Sequence, residues 1–361
     1  MTPALSVMFF ASSTAGSGDR YAMVKDVAVL ADRLGYQAVW VPERHFDAFG
    51  GLFPNPSVVA AALATLTSRC HLRAGSVVAP LHDVIRIAEE WSVVDNLAGP
   101  GRIGISIGSG WNSNDFVLAP DRYGDRVEAS RAAVGQLRDL WAGRPVDRTN
   151  GSGQPVSVTV QPPAASDELP LWLTASGNPR TFEAAGLLGT NVLTHLLGQD
   201  LAELSSKIDV YRAARRSAGH EPSTGQVTLM LHTLVTETDD DAWRVAYRPL
   251  RSYLRSALQL ELRAAAGGGA VSGGRRIALP ALSEAVVDEL LDERCRRFFA
   301  QASLLGTVDK CERMLAAVAE AGVDEVACLV DFGAPASAVA DSLRRLAGAF
   351  LAPGLSLAGG S

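Results

Sequence analysis

The feature that most narrows the fold is a rhythm. Eight short apolar runs recur along the chain: 5–11 (LSVMFFA), 38–41 (AVWV), 72–79 (LRAGSVVA), 102–108 (RIGISIG), 169–174 (LPLWLT), 191–194 (NVLT), 227–236 (VTLMLHTLVT) and 325–330 (EVACLV). Runs this continuously apolar read as strands buried on both faces, which is the environment of a parallel sheet covered by helices. Helical periodicity follows most of them, at 21–34, 57–68, 84–97, 125–141, 201–218, 308–321 and 336–349. Strand–helix alternation repeated eight times implies crossover units and a (β/α)8 TIM barrel, for which 361 residues are ample. A doubly wound open sheet is the competing arrangement, because alternation by itself does not show closure.

Local punctuation supports the register. Gly35 stops the first helix, while Asn55-Pro56 and Asn178-Pro179 each place an N-cap before a proline at the first helical position. Two insertions interrupt the cycle. Residues 143–167 follow the fourth strand and read as a hairpin around 156–160, and an excursion over 239–306 follows the seventh. That excursion holds helical pieces split at 264–274 (AAAGGGAVSGG), which cannot keep a regular structure; segments of this length are often lids. The expected organisation is one domain over 1–352 and a flexible tail at 353–361.

Composition removes several functions. A net charge of −6, from 33 basic and 39 acidic residues, argues against nucleic-acid and anionic-membrane partners. The four cysteines (Cys70, Cys295, Cys311, Cys328) form no CxxC and have no histidine at ligand spacing, so reduced thiols in a cytoplasmic protein and no metal site are expected. Residues 1–11 lack the basic leader of a signal peptide, and no apolar run reaches transmembrane length. No GxSxG elbow, P-loop or nucleophilic cysteine setting occurs. Few strong catalytic groups beside many glycine-rich loops suit a cofactor that carries the chemistry itself.

In a barrel the site lies at the C-terminal ends of the strands, and four tips carry suitable residues. The second strand ends in Glu43-Arg44-His45-Phe46, three ionisable groups able to do acid–base work, or a structural ion pair with a loop histidine. The fourth runs into Gly108-Ser109-Gly110-Trp111, with Asp115 beyond. Its glycine spacing is wrong for a dinucleotide fingerprint but lets a flat ligand approach the backbone beside Trp111. The fifth ends in Thr174-Ala175-Ser176-Gly177-Asn178, a natural phosphate cradle at a helix start and equally a plain N-cap. The sixth ends in Thr194-His195, where a lone histidine serves a ligand about as often as a core. His82, His220 and His232 show no partner pattern.

These stretches resemble a known family. Residues 40–46 (WVPERHF) with 50–56 (GGLFPNP), 73–78 (RAGSVV), 89–97 (EEWSVVDNL), Ser109-Gly110-Trp111 with Asp115-Phe116, and 194–199 (THLLGQ) are similar to the flavin-dependent luciferase-like monooxygenases. They look most like the subgroup found beside polyketide and nonribosomal-peptide assembly lines, over 5–350. The resemblance implies a bacterial-luciferase-like barrel that takes reduced FMN from a separate NAD(P)H:flavin reductase. It implies that O2 is activated at flavin C4a and one oxygen atom is passed to substrate, commonly in a homodimer. By position, Ser176, Gly177 and Asn178 would hold the FMN phosphate, with Thr174, Ala175 and Ser109 nearby and Ala11 at the first tip. Val77-Val78 falls where the family places a non-proline cis peptide beneath the flavin ring. His195 would line the flavin, and Phe46, Trp111 and Asp115 the substrate. Arg44 stands where bacterial luciferase has the first of two histidines, and Gly108 where it has a cysteine. Those departures imply hydroxylation of an acyl or amino-acyl group, held on a carrier protein, rather than light emission. Glu43, Arg44 and His45 would be catalytic, with Arg44 positioning an anion, His45 transferring a proton and 239–306 excluding water. A deazaflavin (F420)-dependent oxidoreductase on the same barrel, or a flavin-binding docking protein without turnover, are the alternatives.

Overall fold

The computed structural model describes residues 2–11, 19–266 and 283–351, with 261–266 as backbone alone. The expected loop at 12–18, most of the 264–274 interruption and the tail at 353–361 lie outside the described residues.

Eight parallel strands close a barrel. They are β1 (Ala4–Met8), β2 (Ala38–Val41), β3 (His71–Val78), β4 (Ile103–Gly108), then β7 (Leu171–Thr174), β8 (Asn191–His195), β9 (Val227–Val235) and β11 (Glu325–Leu329). Each pairs with the next in that order, and β11 returns to β1 with Ala4 opposite Glu325. Closure excludes the open sheet. The helices α1 (Ala22–Leu34), α2 (Pro56–Ala64), α3 (Val84–Ala98) and α4 (Arg126–Trp141) cover the first half. The second half is covered by α5 (Pro179–Leu187), α6 (Leu201–Ser217), α9 (Val308–Glu320) and α10 (Ala336–Phe350). The insertion after β4 is the antiparallel hairpin β5 (Val146–Thr149) and β6 (Pro155–Val158).

Capping chemistry sets the helix bounds. Asn55 accepts hydrogen bonds from the Ser57 and Val58 N–H groups ahead of Pro56, and Asn178 does the same for Arg180 ahead of Pro179. Gly35 ends α1 in the left-handed region at φ 84°, its N–H on the Ala31 carbonyl. Two elements are shorter than the sequence implies. β1 stops at Met8 because the Asp331 carboxylate takes the N–H groups of Phe10 and Ala11. α2 stops at Ala64, and the Asp32 carboxylate then gathers the N–H groups of Ser68, Arg69 and Cys70 into a turn.

The excursion differs more. α7 (Asp239–Ala266) runs through the first three alanines of the expected interruption, and α8 (Glu284–Gln301) leads into a further strand, β10 (Ser303–Gly306). β9 explains it: β8 pairs with β9 only as far as Met230, so the upper part of β9, from His232 to Val235, is free to take β10.

The barrel floor is a buried polar plug. Glu325 accepts from Ser6 (2.5 Å), Arg73 (2.7 Å), Trp40 (3.0 Å) and Gln226 (3.0 Å), and the Arg73 guanidinium lies between the rings of Trp40 and Trp172. Every oxygen of this carboxylate is used, so the N-terminal end serves stability and leaves the C-terminal mouth for chemistry.

Candidate active site

The β2 tip is built around Glu43. Its side chain is 1% exposed, and three donors converge on it. Oε2 accepts from the Val78 N–H at 2.7 Å, while Oε1 receives His45 Nε2 at 2.8 Å and His82 Nε2 at 2.6 Å. An ionised carboxylate only accepts, so both imidazoles carry a proton on the nitrogen facing it. Burial alone would raise the Glu43 pKa, but these hydrogen bonds and the His82 charge outweigh it and hold the carboxyl below its ordinary range. His82 moves the other way: burial would lower its pKa, and Glu43 raises it. Sequence reasoning set His82 aside, because its partner is 39 residues away and no local spacing reports the contact.

Arg44 turns from this cluster toward the mouth. Its guanidinium sits 4.5 Å from the Phe10 ring centroid and 4.9 Å from that of Phe49, and its Nε donates to the Phe49 carbonyl at 3.3 Å. Gly50, at φ 78°, has to be glycine: a Cβ there would collide with the Arg44 side chain. Among the described residues the two terminal guanidinium nitrogens donate no hydrogen bond, so Arg44 offers a fixed cation with its fork open. Phe46 is 66% exposed, with φ 56° and its ring 5.5 Å from that of His45.

The β4 loop closes on this tip. Asp115 lies in a 3-10 turn, Ser113–Leu118, and accepts from Asn112 Nδ2 at 2.8 Å. Burial pushes its pKa up to about 6, against the opposing charges of His45 and Arg44, which place it in electrostatic reach of both. The Gly110 backbone passes so close to Val78 and Phe116 that a Cβ would overlap them. Trp111 is 48% exposed at the rim, and Ser109 precedes Gly110 at the end of β4.

β7 and β8 supply the opposite side. Thr174 Oγ1 meets Ser106 Oγ at 2.7 Å inside the barrel, and Ala175 is buried with its N–H on the Leu193 carbonyl. Ser176, Gly177 and Asn178 donate no backbone hydrogen bond among the described residues, and the space where a Gly177 Cβ would sit is open. Three free N–H groups beside two polar side chains at the start of a nine-residue helix suit an anion. Gln199 ties the two tips together, its Nε2 donating to the carbonyls of Ser176 (3.0 Å) and His195 (2.6 Å). His195 Nδ1 accepts from the Leu197 N–H at 3.1 Å, so the neutral ring carries its proton on Nε2. Burial lowers the His195 pKa to about 4. On the next strand His232 is buried among the rings of Tyr253, Phe298 and Phe332, its Nε2 has no partner among the described residues, and burial lowers its pKa to about 3.

One positional expectation is corrected. The non-proline cis peptide lies at Gly75–Ser76, not at Val77–Val78. The β3–β4 ladder slips by one residue between Gly75 and Val77, and the small pair sits at the slip: a Cβ on Gly75 would press on Met8 and Trp40. Both valines are buried, Val78 with its N–H on Glu43. Ala11 is committed as well, its N–H on Asp331 and its carbonyl on the Gly50 N–H. Among the described residues no group of histidine, cysteine and carboxylate side chains has metal-binding geometry. No helix there is long and apolar enough to cross a membrane.

Known proteins with similar chains agree on the scaffold. The oxygenase component of flavin-dependent trigonelline monooxygenase from Acinetobacter baylyi is 27% identical over 222 residues, 60% of each protein. This chain thus spans about three fifths of the curated relatives it matches first, 57% and 60% of their lengths. The oxygenating constituent of 3,6-diketocamphane monooxygenase from Pseudomonas putida, in complex with FMN, superposes with a TM-score of 0.75 at 16% identity, covering 97% of this chain and 99% of that one. An F420-dependent secondary alcohol dehydrogenase gives 0.70 at 18%, covering 97% and 99%. Likeness at those identities carries the fold and nothing finer. Residues 2–325 match the luciferase-like monooxygenase family as a whole, and the chain belongs to that family.

Proposed function

We propose that this protein is the oxygenase component of a two-component flavin-dependent monooxygenase. It would use reduced FMN and O2 to hydroxylate an acyl or amino-acyl substrate. The observation that carries the reading is the meeting at one barrel mouth of an open arginine fork, a histidine–carboxylate pair and a run of backbone donors with no partner among the described residues. The backbone N–H groups of Ser176, Gly177 and Asn178, with Ser109 alongside, fit a terminal phosphate. His195, with its proton on Nε2, offers a donor to a polar ring edge. FMN supplies the oxygen chemistry when bound; the protein supplies position, charge and dryness.

The roles of the chain's own groups follow from their settings. Arg44 holds a substrate carboxylate or phosphate with its two free nitrogens. His45, anchored by Glu43, moves a proton at the reacting atoms, and Asp115 titrates close enough to neutrality to take part. Phe46 and Trp111, apolar and exposed at the rim, form the substrate wall. α7 and α8, which bring Tyr253 and Phe298 onto His232, keep water from the mouth. A carrier protein would deliver the substrate; a separate reductase would deliver the reduced flavin, a division of labour that the name of the trigonelline relative, an oxygenase component, supports.

The test is oxygen uptake with chemically reduced FMN against a panel of free and carrier-bound acyl groups. Substrate-dependent uptake with product carrying one labelled oxygen atom supports the reading. Tight binding of F420 with no FMN binding would replace it by a deazaflavin oxidoreductase, and FMN binding without substrate-dependent uptake by a flavin-holding protein.

A further inference from the structure

Gln199 lies in the loop between β8 and α6, yet it is only 1% exposed and its amide is fully committed. Nε2 donates to the Ser176 carbonyl at 3.0 Å and to the His195 carbonyl at 2.6 Å, with Thr194 Oγ1 at 3.3 Å. Oε1 accepts from Lys207 Nζ on α6 at 2.8 Å. Turning the amide over would aim Oε1 at two carbonyl oxygens and Nε2 at an ammonium, so these contacts agree on its sense. The Gln199 carbonyl in turn accepts from Arg297 Nη2 on α8 at 3.1 Å. A side chain held from two helices can dictate the geometry of what it touches.

One of the groups it touches is half of a peptide unit whose other half belongs to the anion cradle. The Ser176 carbonyl and the Gly177 N–H share a peptide plane that is trans, so the two groups point in opposite directions. Holding the carbonyl on Gln199 turns the Gly177 N–H away from Gln199, where it donates to nothing among the described residues. Gly177 itself would not keep it there. Its φ is negative as it stands, and turning the peptide over would carry φ into the positive half of the map, where glycine goes freely. The space beside its α-carbon is also open. Such a flip would put a carbonyl oxygen where a donor had been, exchanging attraction for an anion for repulsion.

We propose that Gln199 is the positioning residue that keeps the Gly177 N–H, and not the Ser176 carbonyl, turned toward a bound phosphate. Lys207 fixes the sense of the amide, and the amide fixes the sense of the peptide. Preference for a phosphate-bearing flavin over the same ring without phosphate is then set by a side chain that acts through a neighbouring peptide. The inference rests on the β7 tip being a phosphate cradle and is independent of the oxygen chemistry.

The test compares FMN with riboflavin, which lacks only the phosphate, by fluorescence titration of wild type, Q199M, K207M and the double variant. Q199M should lose about ten- to a hundredfold of the wild-type preference for FMN, the range for one hydrogen bond to a charged group, with riboflavin affinity within about threefold of wild type. An unchanged preference would overturn the proposal, and so would equal losses for both flavins, which mark a merely structural role. K207M, a change on α6 that stands in should Q199M not fold, should lose about threefold of the preference, and no loss there would overturn the orienting step. In the Q199M background K207M should add nothing; an equal further loss would show Lys207 acting by charge alone and would overturn that step as well. A second readout needs no flavin. In glycine-labelled protein the Gly177 amide resonance should shift with inorganic phosphate in wild type and stay in place in Q199M. If wild type shows neither an FMN preference nor that shift, the cradle reading falls and the proposal with it; if Q199M keeps both, the proposal alone falls.

Discussion

Replacing Glu43 by glutamine keeps the shape of the hub and removes its charge. Three donors meet the carboxylate, from Val78, His45 and His82. An amide offers one oxygen and one NH2 group, so with both imidazoles keeping their proton on Nε2 at least one of those donors faces another donor whichever way it turns. Losing a charge-assisted bond costs about 1.5–3 kcal/mol and a stranded buried donor about 1–3 kcal/mol. Because His82 is partly exposed, its share is discounted, and the expected loss is about 3 kcal/mol. For a chain of this size each kcal/mol moves Tm by about 2 °C, so E43Q should melt about 6 °C lower. The size of the gap also depends on pH. The Glu43 pKa is depressed in the folded state, so its contribution is present above the ordinary carboxylate range and lost as pH falls through the folded value. The His82 pKa is raised, so its contribution is complete below about pH 6.5, its ordinary value, and lost as pH rises through the folded one. The gap between wild type and E43Q should therefore be widest near pH 6 and narrower near pH 9. Scanning calorimetry at both values measures it. A drop below about 1 °C, or an equal gap at both pH values, would refute the reasoning.

Asp115, raised by burial to about 6, should give the wild-type pH–rate profile of oxygen uptake an ionisation near that value, and D115N should lack it. Arg44→Met should lower kcat/KM for an anionic acyl substrate by about a hundredfold and change a neutral analogue little, as measured by paired kinetics. Gly177→Asp places a carboxylate in open space, so Tm should stay within about 1 °C of wild type while FMN affinity falls at least about tenfold by fluorescence titration. The four cysteines are all buried, with thiols raised to about 11 (Cys295) or 12 (Cys70, Cys311, Cys328). None should react with a thiol reagent in the native protein, and all four should react once guanidinium unfolds it.

What could be read from the sequence divides by range. Gly35, Asn55-Pro56 and Asn178-Pro179 act on their own neighbours, so cap chemistry placed those helix ends before any coordinates. The barrel strands were legible for a similar reason: burial on both faces writes itself as a continuous apolar run, as in β9. β10 was not, because Ser303–Gly306 becomes a strand only where the upper part of β9 has no other partner. The site divides in the same way. Strand-tip position alone singled out Glu43, Arg44 and His45, but not what each would do there. Arg44 owes its fixed, open fork to Phe10 at the end of β1 and to Phe49 in its own loop. Glu43 owes its charge to His45 beside it and to His82 and Val78, both more than thirty residues downstream. The two side chains are adjacent in the chain and are held by different groups, Arg44 by the rings of Phe10 and Phe49 and Glu43 by three donors. Their shared tip is therefore better understood as two devices than as one catalytic cluster. A substitution at Arg44 should register in substrate choice and one at Glu43 in stability, a separation that no reading of residues 43–45 as a unit would anticipate.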